Sequence, residues 1–193
     1  MNAFQIRSSA GLWISLYAFS FQLFLDFSGY TDIAIGIGQL MGIHLPENFD
    51  RPYLQPNLAA FWRRWHITLT DWFRSYLFNP LVRFMRGSQA GVPVWLIILL
   101  GQLVTMVSIG LWHGIQSNFV LWGLWHALGL YAHNRWQAIL RLSGLKHHAW
   151  LNQRIPRLAG SLLTFHFVTL GWVWFALDEP SQGLAVLGRL FGG

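Results

Sequence analysis

The sequence predicts an all-α membrane protein: a helical bundle with several spans and short re-entrant or interfacial helices. Three observations carry that expectation. Of 193 residues, 54% are hydrophobic and only 10% charged, where an average soluble domain has about 25% charged residues. The apolar residues are gathered into long runs, and residues 92–112 (VPVWLIILLGQLVTMVSIGLW) hold no charge at all; a bilayer-spanning helix needs about 20 such residues. The formal charge of +6 falls in blocks between these runs. This pattern excludes a disordered chain, which is poor in apolar residues and rich in charge. It also excludes a coiled coil and a basic nucleic-acid-binding domain. The absence of cysteine rules out a disulfide framework and a thiolate metal site.

The first apolar segment covers residues 11–25 and continues to about 43, interrupted by Asp26 and Asp32. It follows Arg7 as a signal peptide follows its basic start, but no small-x-small cleavage site comes after it, so an uncleaved span is expected. A connector with Pro46, Pro52 and Pro56 comes next. Each proline removes a backbone donor and biases the preceding residue away from helix. Residues 61–81 (FWRRWHITLTDWFRSYLFNPL) then place Phe61, Trp65, Leu69, Trp72 and Tyr76 at spacings of four and three. That is one apolar helical stripe, with Asn57 or the proline turn as its start and Pro80 as its end. Rich in Trp and Arg, it reads as an interfacial helix at headgroup depth. The 92–112 run is a full span. Residues 118–131 are short for a span and read as an incomplete one packed inside protein. Residues 160–177 nearly reach full length.

Charge then orients the chain. Arg51, Arg63, Arg64, Arg74, Arg83 and Arg86 lie within residues 44–91, against Glu47, Asp50 and Asp71. Arg135, Arg141, Lys146, Arg154 and Arg157 lie within 132–159 with no anion. Cytoplasmic loops carry the Lys/Arg excess, so both blocks belong inside. The uncharged link after residue 112 and the C-terminal end then face outward.

Few residues offer chemistry. His113 ends the uncharged span between Gly110 and Gly114. An ionisable group at membrane depth is a functional candidate, and a span-end histidine facing headgroups is the plain alternative. His66 lies among aromatics and fits a hydrogen-bonded packing residue. His126 is too far from His113 for the i, i+4 ligand pair of a zinc-binding helix, and no metal site is expected. His133, His147 and His148 read as solvated charge in the basic block. Asp26 and Tyr30 share a helical face, as do Ser28 and Asp32. With Gly29, Gly36 and Gly38 permitting close helix contact, they fit a structural polar core. No phosphate loop, nucleophile elbow or cysteine nucleophile is present.

Three of these segments, in this order, resemble the membrane-bound O-acyltransferase family. The matching pieces are LDFSGYTDIAIGIGQLMGIHLPENFDRPY, then FWRRWHITLTDWFRSYLFNPL, then GLWHG with FVLWGLWHA behind it. They form a motif core over residues 25–131 of a single membrane domain, 1–193. The bacterial branch that contains the alginate O-acetyltransferase membrane subunit looks most similar. The resemblance implies a C-terminal portion of a longer chain in the bacterial inner (cytoplasmic) membrane. It implies acyl transfer to a hydroxyl, with His113 as the catalytic base and His66 positioning the acyl thioester or stabilising developing charge. Asp26, Asp32 and Tyr30 would support the core, and Arg63 and Arg64 would lie near an anionic donor. No bound cofactor is implied: acetyl-CoA or an acyl carrier protein thioester would be the donor substrate. An envelope polysaccharide or a partner protein would be the acceptor, with membrane lipid around the chain, periplasmic acetyltransferase subunits as partners and no nucleic acid. Two other functions stay open on residues alone: a transport component with Asp26, Asp32 and His113 along a proton or acyl path, and a non-catalytic scaffold.

Overall fold

A computed structural model describes residues 8–88, 91–144 and 153–192. Arg7, Lys146, His147 and His148, which entered the charge reading, lie outside them. Eight α-helices and no extended strand are found among the described residues, as the sequence predicts. Three of these helices are long and apolar enough to cross a membrane: α1 (Ser9–Leu40), α5 (Val94–His113) and α7 (Arg154–Ala176). Membrane crossing suits helices because their backbone groups are satisfied within the segment.

Helix α1 starts at Ser8, whose side chain accepts from the Gly11 amide. The proline-rich connector folds back on it: Phe49 packs edge-on against Phe27 with ring centroids 5.1 Å apart, and Tyr53 donates to the Ser20 carbonyl at 2.9 Å. Asn57 caps α2 (Leu58–Trp62), accepting from the Ala60 amide at 2.8 Å, as expected. The long helix predicted over 61–81 does not form as one piece. It breaks after α2 and resumes as α3 (Ile67–Phe73). The cause is non-local. The Asp50 amide bonds the Arg64 carbonyl at 3.1 Å, the Ile67 amide bonds the Asn48 carbonyl at 3.0 Å, and Phe49 bridges Trp65. These bonds draw the RRWH stretch out of helical geometry.

Pro80 does not end the helix either. Residues Arg74–Phe78 widen into a π turn, and the Asn79 amide reaches back to the Arg74 carbonyl. The wider register accommodates the donor that proline lacks, and α4 (Asn79–Ser88) follows. The predicted stripe is split as well. Phe61 and Trp65 are buried, whereas Trp72 and Tyr76 are exposed, so only the second half keeps an interfacial character.

Helix α6 (Ser117–Leu142) is longer than the expected incomplete span. It runs on through Arg135 and Arg141, where the apolar run has already stopped. Helices α5 and α6 share the most extensive helix–helix contact among the described residues. A Cβ at Gly110 would overlap the Phe119 carbonyl oxygen, and one at Gly123 would lie 2.5 Å from the Met106 carbonyl oxygen. Only glycine allows that approach. Asn118 of α6 donates to the Trp174 and Leu177 carbonyls at 3.1 and 3.0 Å, satisfying orphan carbonyls at the end of α7. The short α8 (Pro180–Leu190) closes the bundle. Its last carbonyls accept from Ser9 Oγ at 2.6 Å and Trp13 Nε1 at 3.2 Å on α1. The shared core holds Phe61, Trp62, Trp122, Val168, Trp172 and Val173.

Candidate active site

The break between α2 and α3 and the end of α5 bring two histidines to one place. His66 sits at the break with φ 43° and ψ 58°, the left-handed region that costs a non-glycine residue energy and recurs at functional sites. Its ring meets Phe27 edge-on at 4.7 Å and Trp112 at 6.0 Å. His113 is the last residue of α5. Its ring is held by Trp112 at 4.9 Å, Phe175 at 5.0 Å and Trp122 at 5.6 Å. Both histidines line one cavity of about 260 Å³. The rest of the lining is apolar or aromatic and includes Leu23, Ile109 and Trp172. The imidazoles are therefore its titratable groups. His66 lies outside the spanning helices, and burial pushes its pKa down to about 4. Its ring is neutral near pH 7, the state needed to accept a proton.

One oxygen atom fixes the His66 ring. Asn48 is buried, and its Oδ1 accepts from the Thr68 amide at 3.2 Å and from Thr68 Oγ1 at 3.0 Å. His66 Nδ1 lies 3.2 Å from the same oxygen. Sequence reasoning missed Asn48, because its partners come from a later segment. It also missed the aromatic box of Phe27, Trp112, Trp122 and Phe175. The clustering of tryptophan beside both histidines was the signal for it.

The remaining candidates separate. Arg63 lines a second cavity of about 250 Å³ together with Arg74, Gln102, Thr105 and Asn134. Trp62 and Ile109 belong to both cavities. Gln102 Oε1 and Thr105 Oγ1 are buried without a protein partner. Arg64 points elsewhere, paired with Asp50 at 2.8 Å on the surface. Asp26, Tyr30 and Asp32 form no polar core within the described residues: all three are exposed along α1. Asp26 and Tyr30 do share a face, but that face turns away from the bundle. Of the glycines expected to give helix contact, a Cβ at Gly29 or Gly36 would meet nothing within 4 Å, and the nearest atoms to one at Gly38 belong to Ile43 and Leu45, on the turn that follows its own helix. His126 is enclosed by Trp122 at 4.8 Å and Trp62 at 5.1 Å, behind the cavity wall. Among the described residues, no group of three or more histidine, aspartate or glutamate side chains converges to hold a metal.

An all-helical chain with spanning helices and two histidines in an aromatic cavity defines a membrane-embedded protein with an internal candidate site. The chain belongs to the membrane-bound O-acyltransferase family, whose model matches residues 1–173. It is 37% identical over 190 residues to the probable alginate O-acetylase AlgI of Pseudomonas syringae pv. tomato, covering 98% of this chain and 32% of that protein. It is 38% identical over 181 residues to the peptidoglycan O-acetyltransferase of Helicobacter pylori, covering 93% and 31%. The teichoic acid D-alanyltransferase of Bacillus subtilis is 33% identical over 170 residues, covering 86% and 41%. The chain thus spans about a third of the length of the first two of these relatives.

Proposed function

We propose that this chain carries the catalytic histidines of a membrane O-acyltransferase that moves an acetyl group from a cytoplasmic thioester to a hydroxyl of an envelope polysaccharide. The carrying observation is the single cavity lined by both His66 and His113, which are distant in sequence. Acetyl-CoA or an acyl carrier protein thioester is the donor, with its anionic part on the Arg63 side. The setting is a multi-pass protein of the bacterial inner membrane, working with periplasmic acetyltransferase subunits. The relatives named as acting on alginate, peptidoglycan and teichoic acid support the acceptor class.

The chemistry follows from residue type. A sugar hydroxyl is a poor nucleophile until a base takes its proton. His113 accepts that proton as the oxygen attacks the thioester carbonyl carbon. The C–S bond then breaks, an ester forms, and the imidazolium returns the proton to the leaving thiolate. General base catalysis of this kind contributes about 10²–10⁴-fold. The apolar lining excludes water, which limits hydrolysis of the thioester. The test is His113→Ala, assayed in membranes that hold the variant and lack the unsubstituted protein. Acetyl transfer from labelled donor should fall by at least about 10²-fold while the chain stays membrane-inserted. A fully active variant overturns the assignment.

A further inference from the structure

We infer that Asn48 is a positioning residue: it locks His66 with its proton on Nδ1, so that Nε2 offers a lone pair to the cavity. His66 then accepts a hydrogen bond from a second hydroxyl of the acceptor, while His113 takes the proton of the attacking one. It does not donate one to the carbonyl oxygen of the thioester. This deepens the proposed function and rests on it for the identity of the substrate.

The tautomer follows from donors that cannot be reassigned. Asparagine oxygen and nitrogen are told apart only by their hydrogen-bond networks. Here the backbone amide of Thr68, which can only donate, reaches the Asn48 side chain at 3.2 Å. The atom it reaches is therefore the oxygen. Thr68 Oγ1 adds a second donor to that oxygen at 3.0 Å. An amide oxygen cannot donate in return, so His66 Nδ1, 3.2 Å away, must carry a hydrogen. A neutral imidazole has one N–H, which leaves Nε2 as an acceptor.

The same oxygen has a structural duty that explains its place. His66 is the N-cap of α3 and makes no side-chain capping bond. Thr68 is the second helical residue, whose amide is one of the orphan donors of a helix start. Asn48 supplies that cap from a different segment. The helix start and the imidazole are thereby fixed by one atom, and the left-handed backbone of His66 is the geometry that allows both. His113 is the other titratable group on the cavity. The charges flanking the connector, Asp50 and Arg64, neutralise each other at 2.8 Å.

The test reads the tautomer directly. Nitrogen NMR of the full-length protein with ¹⁵N-labelled histidine, assigned by the signal lost in His66→Gln, should show a protonated Nδ1 and an unprotonated Nε2 at neutral pH. A protonated Nε2 overturns the inference whatever the activity. Asn48→Asp keeps the accepting oxygen and the cap while placing an anion beside Nδ1–H. It should raise the His66 pKa by about 1–3 units and move the acidic limb of the rate profile upward by the same amount. Asn48→Ala should release the ring, and an Nε2-protonated form should then appear. A folded Asn48→Ala protein with an unchanged spectrum also overturns the inference. The proposed acyl transfer fails separately, if His113→Ala retains full activity while the His66 spectrum is as expected.

Discussion

Gly110→Ala adds one methyl at the crossing of α5 and α6. Two opposing effects set its outcome. Alanine favours a helix over glycine by about 0.8–1.0 kcal/mol, so at an open site the change stabilises. At Gly110 the new Cβ would overlap the Phe119 carbonyl oxygen, with the Phe119 carbonyl carbon 3.0 Å away and the Gly123 amide nitrogen 3.7 Å away. These are backbone atoms of the facing helix, and no side-chain rotation relieves them. The helices must part, and overpacking of this kind costs about 1–3 kcal/mol or more. Packing therefore outweighs propensity, and we expect net destabilisation of about 1–2 kcal/mol. For a chain of this size that lowers Tm by about 2–4 °C per kcal/mol. The assay is thermal unfolding in detergent, with Gly36→Ala and Gly188→Ala as controls. Neither control position has an atom within 4 Å of the added Cβ, and both variants should melt at or above the natural protein. His113 lies one turn beyond Gly110, so acyl transfer should fall together with Tm. A Gly110→Ala protein as stable as the controls would refute the reading of this crossing.

Three further outcomes are expected. Trp62→Ala removes the indole shared by the two cavities; the ratio of hexanoyl to acetyl turnover should rise, since one methylene in an apolar pocket is worth about 10–200-fold, and a thioester chain-length series checks it. Asn118→Leu loses both bonds to the end of α7 and should cost about 1–3 kcal/mol, read as a lower midpoint in thermal unfolding. Arg64→Ala breaks an exposed pair, worth at most about 1 kcal/mol, and should leave donor KM unchanged, whereas Arg63→Ala should raise it.

The features legible in sequence are those that local pattern decides. The uncharged run gave α5 to within two residues of its start and one of its end. The Asn57 cap rested on neighbouring residue types, and the structure places it where those types implied; the choice of His113 rested on neighbouring residue types in the same way. What was not legible depends on segments meeting. Periodicity over residues 61–81 is real, yet the connector pairs with Arg64 and Ile67 and breaks the helix. No window confined to that stretch contains Asn48. The same holds for Pro80, whose usual effect is absorbed by a π turn one step earlier. The end of the chain went unread as a helix because α8 is short and gains its partners from Ser9 and Trp13 at the opposite end of the sequence.

The fate of the stripe explains how His66 reaches the cavity of His113. An unbroken helix over 61–81 would carry His66 on a regular turn, one position past Trp65, with φ in the ordinary helical range. Its imidazole would then be placed by helical periodicity alone. The break lets Phe61 and Trp65 stay in the core while His66 takes φ 43°. That turns the ring onto Phe27 and Trp112 and into the cavity of His113. The strain is sustained by bonds on both sides, from Asn48 and Asp50 to Arg64, Ile67 and Thr68. Local propensity and tertiary pairing disagree at this one stretch, and sequences tend to violate local rules where function requires it. The failed helix prediction and the candidate site are thus one observation: the pairing that breaks the helix is what delivers the second histidine.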